Sequence, residues 1–191
     1  MTDSAPVVFP IPERAAELLM LVGAQPRLRA HLELVHDVAV RLLDGIGAHW
    51  PQVVLDRAGL LFGAATHDLG KVRHPEELTG PGHAHEEAGY RLLLELGVPE
   101  RDARYARTHA SWMLPGISLE ELMVSLADKV WKNSRRPDLE DLVVARLAEA
   151  CGREPWEVFL PLDDLLGALG ADADRRLAHQ SAFGLTGRTG A

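Results

Sequence analysis

Histidine and aspartate stand together at the end of an apolar segment of this sequence. His67 and Asp68 follow directly on "LFGAAT" in the stretch "LFGAATHDLGK". Adjacent residues on a helix point about 100° apart, so both side chains can face one ion only where a helix ends. Gly70 supplies a candidate turn at that place. Taken alone, the pair is better explained as an ordinary helix end, with His67 near the negative end of the helix dipole and Asp68 in solvent.

The predicted second helix also carries a histidine on its apolar face. Residues three and four apart form a single line there: Leu28, His31, Val35, Val38 and Leu42. An unpaired imidazole within such a stripe would be costly. His36 competes with His31, since an aspartate follows it too, but it lies about 140° away around the helix, on the flank of the apolar face. We therefore prefer His31 as a ligand, and the sequence leaves His36 open.

Two later segments repeat this pattern. His85 aligns with Gly89 and the leucines that follow it, and His109 continues a line through Tyr105 and Ala106. One buried histidine is usually a satisfied core residue, whereas four from separate helices are better explained by convergence on a shared ion. Asp128, in "SLADKVW", differs, because helical spacing alone places it at the edge of a polar face.

These side chains must be positioned by helices, because leucine, alanine, glutamate and arginine recur at helical spacing and β-branched alternation is nearly absent. Prolines and glycines mark several boundaries, and Ser118 with Glu121 forms a capping box. The third helix is apolar on almost every side after Arg57, as expected of a central helix. We predict helices at about 13–24, 27–47, 54–68, 84–97, 100–113, 118–133, 138–151, 155–169 and 171–183.

Bulk composition excludes several classes of protein. The 191 residues are 47% hydrophobic with a formal net charge of -8, which argues against a duplex-DNA binder but not against a small basic pocket. A single cysteine, Cys151, excludes an intrachain disulfide and a thiolate metal cluster. The N-terminus lacks the pattern of a signal peptide, and no apolar run is long enough to span a membrane. We expect a cytoplasmic enzyme.

The order of five motifs resembles the HD-domain metal-dependent phosphohydrolase superfamily. They are "HLELVHDVAVRLL", "AATHDLGK", "GHAHEEAGYRLL", "RTHASW" and "SLADKVW", and they cover about residues 27–133. Helical spacing predicts one all-α domain over residues 1–191 with a flexible tail after about Gly184, and the resemblance implies that it is an HD-type helical bundle with helices at 138–183 packed on the core. Leu69 replaces the motif's usual isoleucine. The Gly-Tyr-Pro signature of the cyclic-di-nucleotide phosphodiesterase branch is missing, which argues against that branch.

The resemblance also implies a set of metal ligands. These are His31, His67, Asp68 and Asp128 for a first ion, with His85 and His109 for a second. Imidazoles and carboxylates suit one or two divalent ions among Mn, Fe, Co, Ni, Zn and Mg. Asp68, which bridges two ions in two-metal members, and Lys71 are the candidate catalytic residues. A solvated lysine after a helix end explains Lys71 equally well.

Four side chains near these ligands are candidate substrate-binding residues: Lys71, His83, Lys129 and Lys132. His83 precedes a ligand by two residues on a predicted loop. Both later lysines belong to a basic cluster with Arg135 and Arg136. Such a cluster is more often a solvated helix end, yet it could hold an anionic substrate.

Together these features predict a metal-dependent phosphohydrolase that uses water to cleave a phosphomonoester or phosphodiester of a nucleotide or nucleic-acid end. The expected partner is a phosphorylated small molecule or nucleotide. One alternative is an HD-type oxygenase that holds two irons with the same six residue types, and another is a non-catalytic module that senses a nucleotide. The amphipathic run 135–170 could pack on the core or pair with a second subunit to form a homodimer.

Overall fold

The structure, a computed structural model, describes residues 6–184, and within that range the chain is helical with no strand. Its nine α-helices are α1 (Glu13–Leu21), α2 (Pro26–His49), α3 (Arg57–Thr66), α4 (Ala84–Glu95), α5 (Glu100–Thr108), α6 (Leu119–Val130), α7 (Pro137–Cys151), α8 (Pro155–Gly170) and α9 (Ala173–Ser181). The predicted all-α fold is confirmed for these residues. The flexible tail predicted after Gly184 lies outside the described residues.

Two short 3-10 helices follow α3, at Leu69–Val72 and Pro75–Leu78, and the sequence did not predict them. The predicted third helix was too long at both ends. The observed α3 begins at Arg57, because the Asp56 side chain accepts a hydrogen bond of 3.0 Å from the Gly59 amide. It ends at Thr66, where the chain turns. The predicted capping box of Ser118 is present at the start of α6.

The predicted fifth and sixth helices were also too long at their C-terminal ends. Helix α5 ends at Thr108, and His109 follows it directly as the capping residue. Helix α6 ends at Val130, three residues before Asn133, whose φ of 55° does not fit a right-handed helix. The shorter α5 therefore places His109 at the helix end and not within the helix.

The apolar core consists of two clusters that share α2. Residues of α3, α6, α7 and α8 pack on one part of this helix, around Val38 and Leu42. Residues of α1, α4 and α5 pack on its N-terminal part, around Leu28 and Leu32. Helices from both clusters therefore converge beside α2, and the polar residues described below lie where they meet. No helix within residues 6–184 has both the length and the apolarity to cross a membrane.

A close backbone approach joins the first 3-10 helix to α4. Gly70 lies in the turn after α3, where the Lys71 amide donates to the Asp68 carbonyl oxygen at 3.0 Å, but it does not have the positive φ of a left-handed helix cap. A Cβ atom at Gly70 would collide with the carbonyl oxygen of His85 and the backbone of Gly89. The absence of a side chain at Gly70 allows the two backbones to touch. This contact brings Asp68 and His85 close together.

A buried arginine attaches the last helix, α9, to the rest of the protein. Arg176, which is 4% exposed, donates to the carbonyl oxygens of Trp131 and Leu169, both at 2.6 Å, and of Val130 at 3.5 Å. These carbonyls lie at the C-terminal ends of α6 and α8. The last carbonyl groups of a helix have no hydrogen-bond partner within the helix. Helix α9 is thereby held beside the candidate site. Pairing of the run 135–170 with a second subunit stays a prediction.

Candidate metal centre

The six predicted ligands line or adjoin one cavity of about 410 Å³. Each comes from a different helix or helix end, except the adjacent pair after α3. All six are buried, with exposures from 0% for His67 to 7% for His31 and Asp128. The structure therefore brings together side chains that span almost a hundred positions of the sequence: His31, His67, Asp68, His85, His109 and Asp128.

Four of these residues form a first group of ligand atoms. Nε2 of His31 lies 3.1 Å from Asp68 Oδ2, 3.4 Å from His67 Nε2 and 3.5 Å from Asp128 Oδ1. Nε2 of His67 lies 3.5 Å from the same Asp128 oxygen and 3.8 Å from Asp68 Oδ2. Such separations are typical of donors that surround one ion, because two ligands about 2.1 Å from a metal lie roughly 3 Å apart.

The remaining atoms form a second group around the other oxygen of the same carboxylate. Asp68 Oδ1 lies 3.0 Å from His85 Nε2 and 3.4 Å from His109 Nε2, and the two nitrogens are 3.4 Å apart. Asp68 therefore faces one set of imidazoles with each of its oxygens. Each group could hold one cation, and Asp68 is the residue that the two groups share.

The donor set fits a divalent cation. His67 and His109 donate from Nδ1 to the carbonyl oxygens of Ala64 and Ala106, at 3.0 and 2.9 Å, so in the neutral rings Nε2 carries a lone pair. Those lone pairs point toward other acceptor atoms. Asp68 Oδ1 is fully buried and has no hydrogen-bond partner. A cation would satisfy all of these acceptors at once.

Protonation favours the same conclusion. Burial alone would raise the pKa of the Asp68 carboxyl, but the imidazoles around it, His67 first, hold that pKa well below its usual range. The pKa of the Asp128 carboxyl is also held well below its usual range, because its hydrogen bond with His67 and the charge of Lys129 outweigh the effect of burial. Burial also lowers the pKa of His109, which keeps this ring neutral at pH 7. Ionised carboxylates and neutral imidazole are the forms that bind metals.

Two lysines contact the ligand carboxylates. Lys71 Nζ lies 2.5 Å from Asp68 Oδ2, and Lys129 Nζ lies 2.6 Å from Asp128 Oδ2. Lys132 also lines the cavity. The predicted basic cluster is divided, since Arg135 binds Glu140 and Asp163 and Arg136 binds Asp138. Of that cluster, the lysines reach the cavity and the arginines do not line it.

The other predicted residues have distinct places. His83 lines the cavity with an exposed side chain, and its Nδ1 lies 2.7 Å from Glu86 Oε1. His36 is buried at 2% exposure but belongs to neither group of ligand atoms, so the structure favours His31 as the ligand. Asp128 is 7% exposed, and the surface position that periodicity indicated was wrong. It is buried because both α2 and the end of α3 pack against α6.

Sequence reasoning missed two contributions. Glu77, in the second 3-10 helix, contacts His85 from behind, at 2.5 Å between Oε2 and Nδ1. Leu177 and Gln180 of α9 line the cavity, although nearly fifty residues separate them from the last predicted ligand. The sequence carries little signal for either, because a glutamate beside a loop and a leucine on a polar helix are ordinary surface features.

A helical bundle that gathers buried histidines and aspartates beside one cavity defines a class of metal-binding proteins. The chain belongs to the HD domain family, since the family model described as "HD domain" matches residues 28–131, more than half of the sequence. Family and cluster together indicate a metal-dependent hydrolase. Searches of curated proteins and of solved structures returned no match. All six candidate ligands lie inside the matched range, whereas α9 lies outside it.

Proposed function

We propose that this protein is a phosphohydrolase that uses one or two divalent metal ions to cleave a phosphomonoester or phosphodiester of a nucleotide or nucleic-acid end. One observation carries the proposal: each oxygen of Asp68 faces its own set of imidazoles, and Lys71 Nζ lies 2.5 Å from the same carboxylate. Residues that would hold one cation on each side of Asp68, with a lysine beside them, suit a phosphoryl group whose charge must be neutralised.

The charge of the cavity supports this choice. Four carboxylates and three lysines line it: Asp68, Glu77, Glu86, Asp128, Lys71, Lys129 and Lys132. Their formal charges, three positive against four negative, leave -1 without cations and +3 with two divalent ions. A phosphate dianion is repelled in the first case and attracted in the second. The cavity therefore suits phosphate only when cations are bound.

The residues of this chain then have separable roles. Bound divalent ions polarise a phosphoryl oxygen and lower the pKa of a coordinated water. Lys71 and Lys129 supply ammonium groups beside the two carboxylate ligands, where they can contact the remaining phosphoryl oxygens. Hydrolysis would form a bond from a water oxygen to phosphorus and break the bond to the leaving oxygen, and a proton of that water would pass to the leaving oxygen. Lys132 and His83, on the cavity wall, are placed to contact the rest of the substrate.

The cavity has room for more than a phosphate ion. Its volume of about 410 Å³ falls within the range of small-molecule sites, roughly 300–1,000 Å³. Leu28, Trp131 and Leu177 form apolar wall on the side of α2, α6 and α9. An apolar wall beside a cation site suits an organic phosphate such as a nucleotide, whose base can lie against it.

A hydrolysis assay tests the proposal. The purified protein is assayed with p-nitrophenyl phosphate, bis-p-nitrophenyl phosphate and a panel of nucleotides, each with Mn, Co, Ni or Mg. We expect turnover that His31→Ala and His67→Ala abolish, while His36→Leu, the matched change on α2, leaves it in place. Absence of turnover with every metal and substrate would refute the proposal.

Metal analysis separates the alternatives. Two irons with a mixed-valent EPR signal, and no phosphoester turnover, would support the oxygenase instead. Tight nucleotide binding without turnover would support a sensing module. The bridging arrangement has its own test, because Asp68→Asn should disturb both groups, whereas Asp128→Asn should weaken only the first.

A further inference from the structure

Glu77 is a buried carboxylate on the outer side of the second group of ligand atoms. It is 9% exposed, and both of its oxygens are engaged. Oε1 accepts from the Ala84 amide at 3.1 Å, and Oε2 accepts from the His85 amide at 3.1 Å and lies 2.5 Å from the His85 Nδ1. Among the residues that the structure describes, no lysine or arginine pairs with Glu77. Its charge is therefore directed at His85 and the start of α4.

This contact distinguishes His85 from the other imidazoles. His67 and His109 donate from Nδ1 to backbone carbonyls, which are neutral dipoles. Among the residues 6–184 that the structure describes, His85 is the one imidazole of the four whose Nδ1 contacts a carboxylate. A carboxylate on Nδ1 holds the proton there, leaves the lone pair on Nε2, and makes that nitrogen a stronger donor to a metal. The ring is fixed in the same step, with Nε2 directed at Asp68 Oδ1.

The local backbone is built around this carboxylate. Gly82 lies against it, since a Cβ atom at that position would collide with the Glu77 side chain. The two amides that Glu77 accepts from open α4, where the helix dipole also favours a negative charge. Glu77 therefore has two roles. It accepts hydrogen bonds from the amides that open α4, and it contacts the imidazole of His85.

The second group needs such support more than the first. Four residues supply the first group, but only Asp68, His85 and His109 supply the second. Resting on the proposed metal-dependent function, we propose that Glu77 is the positioning residue of the second cation site. It orients His85, fixes its tautomer and strengthens it as a donor, so that three protein ligands suffice to hold a cation.

Titration of metal-free protein with Mn²⁺ tests this inference by calorimetry, with metal counted by elemental analysis after dialysis. We expect two ions in the parent protein. Glu77→Gln should weaken the second about ten- to a hundredfold and leave the first unchanged. The matched control is Glu76→Gln, at the neighbouring exposed glutamate, which should leave both affinities unchanged.

A second pair of variants separates positioning from helix capping. In a His85→Ala background, Glu77→Gln should have no further effect on Mn²⁺ binding, because its route to the metal has been removed. Loss of the cap would still lower the melting temperature in both backgrounds. A Glu77→Gln protein that melts earlier but binds both ions as tightly as the parent would reduce Glu77 to a capping residue and overturn the inference.

The same titration distinguishes this failure from failure of the proposed function. Two ions bound equally by the parent and by Glu77→Gln would overturn the role of Glu77 and leave the metal-dependent function intact. A parent that binds a single ion, unaffected by His85→Ala, would overturn the second site but still allow hydrolysis with one metal. A parent that binds no ion would overturn both.

Discussion

His36 should make the protein less stable in mild acid. Burial lowers the pKa of its imidazole from 6.5 to about 4, although the charge of Asp37 and a backbone contact with Phe9 act in the opposite direction. The folded protein therefore keeps His36 neutral where the unfolded chain takes up a proton. Below pH 6.5 the unfolded state binds more protons, so stability falls as the pH falls toward 4.

The pKa difference sets the size of the effect. At about 1.4 kcal/mol for each pKa unit, the full loss is about 3 kcal/mol, and about 2 kcal/mol is already lost at pH 5. His36→Leu removes this term. Leucine is tolerable there because His36 Nδ1 is buried without a hydrogen-bond partner, so no polar contact of that atom is lost.

The measurement is the free energy of unfolding in urea at pH 7, 6 and 5, for the parent and for His36→Leu. Effects of the other histidines cancel in the difference between the two proteins. The control is His49→Gln, an exposed histidine at the end of the same helix. The two curves should diverge by about 2 kcal/mol between pH 7 and pH 5. Parallel curves would refute the reasoning, and loss of Mn²⁺ binding by His36→Leu would show that His36 is a ligand.

Three further predictions concern the backbone, α9 and the charge of the cavity. Gly70→Ala should cost about 1–3 kcal/mol of stability in urea unfolding and weaken Mn²⁺ binding, because the added Cβ atom collides with the His85 carbonyl oxygen. Gly47→Ala is the control and should show no loss, because a Cβ atom there has no neighbour within 4 Å. Arg176→Met should cost about 2–4 kcal/mol in the same assay, since three carbonyls lose their donor, whereas exposed Arg175→Met should change little. Calorimetry should show inorganic phosphate binding to the protein only when Mn²⁺ is already bound. Equal binding of phosphate to the metal-free protein would contradict the charge argument.

Helical periodicity predicted the α-helices of this fold but not its two 3-10 helices. The spacing of apolar residues identified the nine α-helices of residues 6–184, and the Ser118 capping box located the start of α6. It also indicated four histidines on apolar faces, because a buried face is encoded along a single helix. Helix ends were less predictable, since α3 and α6 stop at turns that depend on particular backbone angles rather than on the apolar pattern.

The motif order added what periodicity could not. Asp128 looked like a surface carboxylate on its own helix, and only the resemblance to the HD superfamily grouped it with His31 and His67. The structure buries it because α2 packs against α6 and covers that edge. A residue's exposure depends on its neighbours in space, and one helix considered by itself does not contain them.

Tertiary packing alone decided which atoms of the site meet. The resemblance names the six candidate ligands, divides them between two ions and gives Asp68 the bridging role, but it does not say which oxygen of Asp68 faces which imidazole, or that Glu77 contacts His85. Those contacts depend on the angle and separation of helices that are distant in the chain. They are set by features such as the approach of Gly70 to α4, where the missing side chain lets two backbones touch. The pattern of apolar residues in the sequence indicates which face of each helix is buried. Only the packing of the helices determines which atoms meet on those faces.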